Sequence, residues 1–496
     1  MWRVACTWAL GACVVGACGA DGGKTSGSQG GAAAQGGGDG GTGANEGASG
    51  PGGMGGAEPD PGGFDWFLHL SGDAVWAGAP RPDASGDGTL VTGRVWGSLK
   101  AGDLDSPGED RVDLFLLRID EQGKAMDVER FVTDPDGVGS ESAVAPIGVA
   151  GGVVLGGRVA GTVTFGSGTA GTVIGDATTN NGYVVRVNDD GSVPWHVLVS
   201  NGDQSDIADL VAQGGKIYAI GSCEGTLTLD SGTIDCGFTR DWLVARIHPS
   251  TGAVEAAARF GGSVNTDIGA EIAALPSGGV VVAGTGFGVV DFGDGPLPYQ
   301  GNYDVYVAGL DADLSHLWSF GVGSPSSDAV SSIAVGDDGT VALCGSSEGD
   351  VVVGGNSYPS AGGWDGVVVL VTDGVPTMVR RVGGTGSDHC SSVAFDPDGD
   401  LVITGTFDGT IDLGGEMVTA TGDRDTFLLT MSRSGEITSV ATQAAPAGTE
   451  NLLSVDHVDA AAGRLVAAQL EAGLDLGGEA FSALGSVDTV VGRLRP

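Results

Sequence analysis

A repeat of about 60 residues runs through most of this chain of 496 residues. Its clearest mark is a glycine that closes a short apolar segment, with successive copies 60 to 64 residues apart. These marker positions are Gly93, Gly157, Gly221, Gly284, Gly345, Gly405 and, in the seventh place, Ala468. A second row opens a later apolar segment of each copy, 20 residues after the marker in every copy but one. Its members are Asp113, Asn181 (24 residues after its marker), Asp241, Asp304, Asp365, Asp425 and Asp488. Two rows that agree seven times predict seven structural units.

Each unit contains four short apolar segments, which we call its first, second, third and fourth strands. In the clearest copy the first three read SSVAF, DLVITG and DTFLLTM, and a fourth strand ending in VRRVGG precedes them. Short segments rich in Val, Ile and Thr between glycine-containing turns are typical of β-strands. Four strands in about 60 residues are typical of a propeller blade. The sequence therefore predicts an all-β fold, a seven-bladed β-propeller over residues 64–496.

The two ends of the repeat region are complementary. Trp66 stands 27 residues before Gly93, just as Trp318 stands 27 before Gly345, so Trp66–Leu70 has the position of a fourth strand with no unit before it. The chain ends with Asp488–Leu494, a third strand with no fourth strand after it. We expect these segments to pair and close the ring, which removes open sheet edges.

This region resembles secreted bacterial β-propeller repeat proteins of a glycine-rich type. The resemblance rests on the recurring pattern GGxGxD, then IAV, then a marker glycine and an Asp that opens an apolar strand, and it covers residues 64–496. Unit 1 matches least well. The resemblance implies a propeller architecture and assigns no activity.

The amino-terminal region predicts export and a lipid anchor. Residues 1–17 combine one Arg with an apolar run too short to span a bilayer, as a signal peptide does. The run ends in Val15-Gly16-Ala17-Cys18, which resembles the lipobox of bacterial lipoproteins and implies lipidation of Cys18. Residues 18–63 are rich in Gly, Ala and Ser, as a disordered tether is. We expect attachment to the bacterial cell envelope, at the outer membrane or the cell surface. An ordinary secretory signal is the alternative.

The charge of the chain limits its partners. It carries 63 acidic and 22 basic residues, a formal net charge of −41. Such a chain repels nucleic acids and anionic lipid headgroups. We therefore expect no nucleic-acid partner, membrane contact only through the lipid, and a monomeric propeller.

A carboxylate stands shortly before most of the first strands. The set is Glu141, Asp206, Asp267, Asp328, Asp388 and Glu450. In a propeller these residues lie in loops around the channel mouth. Several carboxylates together suit Ca²⁺ or a cationic ligand, and this is the only cofactor that the sequence indicates. The alternative is that each carboxylate accepts N–H groups of its own loop.

The link between the second and third strands contains a further pattern, such as GTLTLD at 225 and GTIDLGG at 409. Alternating apolar residues followed by glycine predict an extra hairpin. These hairpins either form a crown on one face or, as the favoured interpretation, pack unit against unit.

The four cysteines of the repeat region predict two disulfides in an oxidising compartment. Cys223 and Cys236 flank the extra hairpin of unit 3, and Cys344 and Cys390 fall on neighbouring units. Free buried thiols are the alternative.

Two short segments match catalytic or calcium-binding motifs, but the predicted structure around them does not fit those motifs. Gly345-Ser346-Ser347-Glu348-Gly349 fits G-x-S-x-G, yet no helix follows the serine. Asp396-Pro397-Asp398-Gly399-Asp400 imitates part of a calcium loop but falls at a hairpin turn. The leading hypothesis is a binding or scaffolding module for a protein or a glycan. The alternatives are an envelope hydrolase or lyase that uses the ring carboxylates, and a purely structural envelope protein.

Overall fold

The computed structural model describes residues 64–78, 80–83, 88–133, 142–144, 146–166, 172–199, 204–262, 267–422, 424–443, 452–459, 463–470, 473–476, 479–482 and 487–494. The predicted signal peptide, Cys18 and the predicted tether lie outside these residues. All regular structure in the described residues is β-strand, so the prediction of an all-β chain is confirmed there. Among these residues no helix is long and apolar enough to cross a membrane.

The strands follow the predicted units along the chain. Units 1 and 2 contain β1 (Phe64–Ala77), β2 (Arg81–Pro82), β3 (Gly88–Ala101), β4 (Leu104–Ser106), β5 (Val112–Asp120), β6 (Ala125–Thr133), β7 (Ser142–Ala143), β8 (Ile147–Val149), β9 (Gly152–Phe165), β10 (Thr172–Asn188) and β11 (Trp195–Val199). Units 3 and 4 contain β12 (Ser205–Gln213), β13 (Lys216–Cys223), β14 (Thr226–Leu229), β15 (Gly232–Asp235), β16 (Asp241–Ile247), β17 (Val254–Phe260), β18 (Asp267–Ala274), β19 (Val280–Gly286), β20 (Asp304–Leu310) and β21 (His316–Gly323). Units 5 to 7 contain β22 (Asp328–Val335), β23 (Val341–Glu348), β24 (Val351–Val353), β25 (Asn356–Tyr358), β26 (Trp364–Thr372), β27 (Val375–Val382), β28 (His389–Phe395), β29 (Leu401–Phe407), β30 (Thr410–Asp412), β31 (Met417–Thr419), β32 (Asp425–Met431), β33 (Ile437–Gln443), β34 (Leu452–Asp459), β35 (Gly463–Leu470), β36 (Gly473–Leu476), β37 (Glu479–Ser482) and β38 (Asp488–Leu494).

Units 3 to 6 each form an antiparallel meander of four strands, as the repeat predicts. The orders are β12-β13-β16-β17, β18-β19-β20-β21, β22-β23-β26-β27 and β28-β29-β32-β33. The inner strands are buried on both faces; every residue of β20 is buried, for example. Continuous apolar runs such as Val280–Val282 are typical of strands covered on both sides.

The apolar cores lie between successive units. One cluster joins Ala342 and Val368 of unit 5 to Leu401 and Phe427 of unit 6. The first strands also contact one another in succession: β8 with β12, β12 with β18, β18 with β22, β22 with β28, and β28 with β34. In addition β2, the short strand of unit 1, contacts both β8 and β34. A sheet covered on each side by a neighbouring sheet exposes little apolar surface.

Two of the extra hairpins pair with the outer strand of the preceding unit. In unit 5, β24 pairs with β21 of unit 4 through Val353↔Val322 and Val352↔Gly323. In unit 2, the end of β9 pairs with β6 of unit 1 through Thr164↔Val132. These pairings agree with the interpretation in which the hairpins pack unit against unit. They also give partners to the backbone groups of an outer strand, which would otherwise form an open edge.

The predicted pairing between the two ends of the repeat region is present. β1 pairs antiparallel with β38, with Leu70 opposite Thr489 and Phe67 opposite Gly492. The second half of β1 pairs with β3, so this one strand belongs to two units. The order β3-β1-β38-β35-β34 makes residues 64–70 the fourth strand of unit 7.

Candidate ligand-binding edge

One edge of the sheets holds the ends of the second and fourth strands and the starts of the first and third strands; we call it the loop edge. The predicted ring carboxylates belong here, although Glu141 and Glu450 lie outside the described residues. Asp267, Asp328 and Asp388 are buried, with 1%, 2% and 0% of their surface exposed. Each accepts a backbone N–H from its own loop. The donors are Gly262 at 2.8 Å, Ser324 at 2.6 Å and Gly384 at 2.6 Å. This geometry matches the alternative in which each carboxylate fixes its own loop.

Asp206 does not occupy the position that the repeat predicts for it. Ser205 pairs with Cys223, as Asp267 pairs with Gly286 at the end of the corresponding second strand. Asp206 is therefore one residue out of register with Asp267, and successive side chains of a strand point to opposite faces. Its side chain instead forms an ion pair with Arg240 and accepts hydrogen bonds from Ser222.

The buried carboxylates meet in pairs where successive units join. At each of three junctions, an aspartate that opens a third strand lies near the aspartate that begins the next unit's first strand. The pairs are Asp241 with Asp267, Asp304 with Asp328, and Asp365 with Asp388. Gly261 lies between the first two, since a Cβ on it would come 2.3 Å from Oδ1 of Asp241 and 2.9 Å from Oδ2 of Asp267. Only a residue without a side chain fits there.

Burial shifts these carboxyl groups towards the protonated form. Burial, with a smaller contribution from the charge of the paired aspartate, raises the pKa of Asp267, Asp304 and Asp388 to about 7. Burial likewise raises the pKa of Asp241 and Asp328 to about 6, against hydrogen bonds that lower it. Two carboxylates in a low dielectric cannot both ionise without a large cost.

The junction between units 2 and 3 has neutral residues in place of this pair. Asn181 takes the position of the aspartate that opens the third strand, and Ser205 takes the position of Asp267. The two residues are buried, and the backbone N–H of Gly182 donates to Oγ of Ser205 at 2.9 Å. Both acidic positions are thus neutral at the same junction, so this junction holds no pair of buried carboxyl groups.

Cations of the fourth strands neutralise the third-strand aspartates in alternate units, which the sequence analysis missed. Nε of Arg259 lies 2.7 Å from Oδ2 of Asp241. The same register position gives ion pairs of Arg130 with Asp113 and of Arg381 with Asp365, and in unit 7 it places Nε2 of His69 2.9 Å from Asp488. The corresponding residue of unit 4 is Gly321, opposite Tyr306, so Asp304 has no cation from this position. A basic residue near the end of the fourth strand was the available signal.

Across the described ranges, no three His, Cys, Asp or Glu side chains are grouped as metal ligands would be. The calcium-like segment at Asp396 is a hairpin turn, in which Oδ1 of Asp396 accepts the N–H groups of Asp398 and Asp400 at 3.0 and 2.8 Å. Gly399 completes this turn with φ +82°.

Four consecutive units present large side chains at the residue that precedes the third-strand aspartate. These residues are Arg240, Tyr303, Trp364 and Arg424, and we call this set the arc. The carbonyl groups of the first three accept the backbone N–H of Asp267, Asp328 and Asp388, each at 2.7 Å. Equivalent backbone contacts therefore hold these members of the arc at equivalent positions, and all four are half-buried.

The arc is bordered by further aromatic and polar groups. The ring of Trp364 lies 5.8 Å from the ring of His389 of the next unit, and Nδ1 of His389 lies 3.2 Å from Oγ of Ser346. Burial and the nearby Arg424 lower the pKa of His389 to about 4, so this imidazole is neutral at pH 7. Phe287 lies 5.4 Å from the ring of Tyr303 and is 36% exposed.

The cysteines follow the predicted positions but form one bridge. Cys223 and Cys236 form a disulfide across the β14–β15 hairpin, with Cα atoms 5.8 Å apart. Cys344 and Cys390 are buried free thiols, which corresponds to the alternative that the sequence left open for this pair. They adjoin each other in the apolar core between units 5 and 6. Burial raises the pKa of the Cys344 thiol, with a further rise from Cys390, and disfavours the thiolate through which disulfides form.

Comparisons with known proteins leave the family open. No protein-family model matches the chain, and no curated protein matches it. Among solved structures it is similar to quinohemoprotein alcohol dehydrogenase ADHIIG from Pseudomonas putida HK5, with 12% identity over 87% of this chain and 76% of the other, and a TM-score of 0.45. It is also similar to quinohemoprotein alcohol dehydrogenase from Comamonas testosteroni, with 12% identity, the same coverage and a TM-score of 0.37. A subtype N10 neuraminidase-like protein of A/little yellow-shouldered bat/Guatemala/060/2010 matches with 9% identity over 87% of this chain and 99% of the other, and a TM-score of 0.33. The quinoprotein dehydrogenases are β-propeller-type proteins. The identities and TM-scores of these three structures are low, so their activities do not carry over to this chain.

Proposed function

We propose that the chain is a seven-bladed β-propeller, exported and lipid-anchored at the cell envelope, that binds a protein or glycan ligand at the loop edge. It acts as a binding module and performs no chemistry on its ligand. The observation that carries this proposal is the arc, a row of arginine and aromatic side chains in an acidic chain.

The strand pairings support a closed ring of seven blades. The seven units succeed one another in sequence, and the first strands contact one another from β8 to β34. The short strand β2 contacts both ends of that series, and β1 pairs with β38. A ring in which each sheet packs against two others leaves no end sheet uncovered. In such a ring the arc lies on one face, beside the mouth of the central channel.

The arc has the composition of a binding surface. Tyr, Trp and Arg are the residues that dominate the energy of recognition, because they combine large contact area with directed hydrogen bonds. Arg240, Tyr303 and Trp364 keep part of their surface accessible although their backbones are fixed by hydrogen bonds. A backbone that is already held in place loses little further entropy when a ligand binds.

The lipid anchor is the part of this proposal that rests on the sequence alone. Lipidation at Cys18, with residues 18–63 as a tether, would hold the module near the membrane while the loop edge meets its ligand. Replacing Cys18 with Ala should release the full chain from the membrane fraction. Retention of the C18A protein in that fraction would refute the lipid anchor and leave the binding proposal intact.

The hydrolase alternative has less support. It requires carboxylates that reach a substrate, whereas Asp267, Asp328 and Asp388 are at most 2% exposed. Their hydrogen bonds go to their own loops. General acid–base catalysis needs the carboxyl group within hydrogen-bond reach of the substrate.

Affinity capture from the native envelope tests the binding function. The tagged full chain should retain a protein or glycan that is lost from a Tyr303→Ala, Trp364→Ala double variant. Leu317→Ala is the matched control, because Leu317 is 50% exposed on β21, away from the arc. Equal capture by the wild type and the double variant, with both folded by circular dichroism, would refute binding at the arc.

A further inference from the structure

Three aromatic side chains adjoin one another at the loop edge of unit 4; we call Phe287, Tyr299 and Tyr303 the aromatic cluster. The ring centroid of Phe287 lies 6.1 Å from that of Tyr299 and 5.4 Å from that of Tyr303. Phe287 and Tyr299 are 36% and 40% exposed, and Tyr303 is half-buried. The rings are therefore joined through Phe287 into one surface, and each keeps part of its area accessible.

The link between β19 and β20 holds the first of these rings in place. Val290 and Phe292 of this link are buried in the core between units 3 and 4, where the ring of Phe292 lies 5.2 Å from that of Trp242. Phe287 and Val289 precede them and are exposed. Because its buried residues anchor the link, Phe287 has a fixed place at the surface.

Unit 5 supplies an exposed carboxylate that hydrogen bonds connect to the cluster. The backbone N–H of Asn302 donates to the carbonyl of Ser326 at 2.6 Å. Oγ of Ser326 in turn donates to Oε2 of Glu348 at 2.7 Å. Asn302 directly precedes Tyr303, and Glu348 is exposed. Two hydrogen bonds thus join the loop of an aromatic ring to a negative charge of the next unit.

The repeat makes the position of Phe287 acidic in other units. This position directly follows the residue that pairs with the third-strand aspartate. It is held in units 3, 5 and 6 by Glu224, Glu348 and Asp408. Unit 4 therefore has an aromatic ring at a position where the units before and after it have a carboxylate.

The surrounding chain adds negative charge and little positive charge. Residues 260–379 contain 14 Asp and Glu and no Lys or Arg. The arginines that reach the loop edge from either side, Arg259 and Arg381, form ion pairs with the buried Asp241 and Asp365. Such a region attracts cations and repels anions.

A cation is the ligand that both the rings and the charges favour. The face of an aromatic ring attracts a guanidinium or an ammonium group, arginine more often than lysine. A nearby carboxylate adds a charge-assisted hydrogen bond, and the planar guanidinium can stack and donate at the same time. A small free cation needs a pocket that encloses it, whereas a side chain on an open surface gains further affinity from the interface around it.

We propose that the aromatic cluster binds an arginine or lysine side chain of a basic protein partner, with the cation against Phe287 and Glu348 as its counter-charge. This proposal rests on the proposed function and adds the chemical class of the ligand. The net charge of −41 also speeds the approach of a basic partner.

NMR titration of a small peptide with the full chain in detergent tests this class. The probe is acetyl-Gly-Gly-Arg-Gly-Gly-amide, and the same peptide with citrulline in place of arginine is its neutral counterpart. Salt at about 0.15 M weakens the general attraction between an acidic chain and any cation. We expect the arginine peptide to bind at least about tenfold more tightly than the citrulline peptide, because it loses both the ring contact and the counter-charge when neutral.

Four variants locate the binding site. Phe287→Leu removes the ring but stays apolar, and should weaken the arginine peptide about threefold or more. Glu348→Gln should weaken it about twofold or more. Phe67→Leu, on β1 and also 36% exposed, is the control for the ring. Glu436→Gln, exposed in the turn between β32 and β33 at the opposite edge, is the control for the charge. Both controls should bind the peptide as the wild type does, and circular dichroism should show that all four variants fold.

The outcomes separate this proposal from the proposed function. Equal binding of the two peptides, no binding of either, or equal affinities of Phe287→Leu and Phe67→Leu for the arginine peptide would overturn the cation site. So would capture of a neutral glycan that depends on Phe287. If the cation site fails but the envelope still yields a ligand that requires Tyr303 and Trp364, the ligand class is wrong and the binding function stands. If that capture also fails, both proposals fall.

Discussion

The carboxylates of Asp241 and Asp267, which belong to successive units, approach the same glycine. A Cβ at Gly261 would lie 2.3 Å from one and 2.9 Å from the other. Pairs of buried aspartates recur where Asp304 meets Asp328 and where Asp365 meets Asp388. The repeat therefore builds acid pairs into its junctions, and these pairs set how the fold responds to pH, to mutation and to loss of their cations.

The stability of the fold should fall as pH rises from 4 to 8. The pKa of Asp267, Asp304 and Asp388 is about 7 in the folded chain, against an ordinary value near 4. A raised folded pKa means stabilisation that is complete below pH 4 and is lost as pH rises through 7. Each group contributes at most about 1.4 kcal/mol for every pH unit between its folded and its ordinary pKa. The lowered pKa of His389 acts in the opposite direction as pH falls below 6.5. Urea unfolding of the full chain at pH 5 and pH 8 measures the difference.

Replacing Asp267, Asp304 and Asp388 with Asn should make stability depend less on pH. Asn imitates the protonated acid in size, and Asn181 already occupies the related position in unit 2. We expect the triple variant to be more stable than the wild type at pH 8 and little changed at pH 5. Identical pH profiles of unfolding for the two proteins would contradict this account of the junctions.

Gly261→Ala should destabilise the chain by about 2 kcal/mol or more, because the new methyl group meets two carboxylates that cannot move apart in a packed junction. Gly321→Ala is the control, since a Cβ there has its nearest neighbour at 3.5 Å. Thermal unfolding of the two variants should give a clear loss for the first and a small change for the second. Equal losses would show that contact with the two carboxylates is not the reason for the loss at Gly261.

Removing the cation of a buried ion pair should lower the free energy of unfolding more than removing the cation of an exposed ion pair. Arg381→Met leaves Asp365, which is fully buried, without its guanidinium, and we expect a loss of about 3 kcal/mol. Arg433→Met breaks a pair whose side chains are 39% and 53% exposed, and should cost less than about 1 kcal/mol. Because a carboxyl group without its cation is stable only when protonated, the Arg381→Met loss should be larger at pH 8 than at pH 5. A loss independent of pH would point to packing alone.

Reductant should lower the melting temperature of the wild type through one disulfide. The Cys223–Cys236 bridge closes a separation of 13 residues, and a loop of this size corresponds to about 3 kcal/mol in the chain-entropy model. The Cys223→Ser, Cys236→Ser variant should melt at the lower temperature with or without reductant. Mass spectrometry after alkylation in denaturant should find two free thiols, at Cys344 and Cys390, in the non-reduced wild type. Finding neither thiol would restore the second bridge.

The repeat made the strand order predictable but not the register within each unit. The marker glycines located the second strand of each unit. The distance from Trp66 to Gly93 located the strand that pairs with β38. Asp206 lies one residue away from the position predicted for it, because two residues join β12 to β13 whereas five join β18 to β19. A longer strand and a shorter turn leave the marker spacing unchanged while they exchange the two faces.

The chemistry of the site depends on contacts between units, and the spacing of residues in the sequence does not predict those contacts. Cys344 and Cys390 were correctly assigned to neighbouring units, yet the apolar environment that keeps them as thiols is a property of the packed core. Similarly, Arg259 and Arg381 reach their aspartates because of the register between third and fourth strands, and a bulge interrupts that register in both units. The arc could be seen only after the residue before each third-strand aspartate was known to lie at the loop edge.

The pairing of β1 with β38 also imposes an order on folding. His69 and Asp488 lie 2.9 Å apart although 419 positions separate them in sequence. Such a contact forms late, because closing so long a segment is entropically unfavourable until the intervening units have ordered it. Residues 64–70 therefore have no strand partner until unit 7 has been synthesised and has folded. A nascent chain of this kind stays incomplete and vulnerable to misassembly through most of its synthesis, and it gains its full resistance to unfolding in one late step.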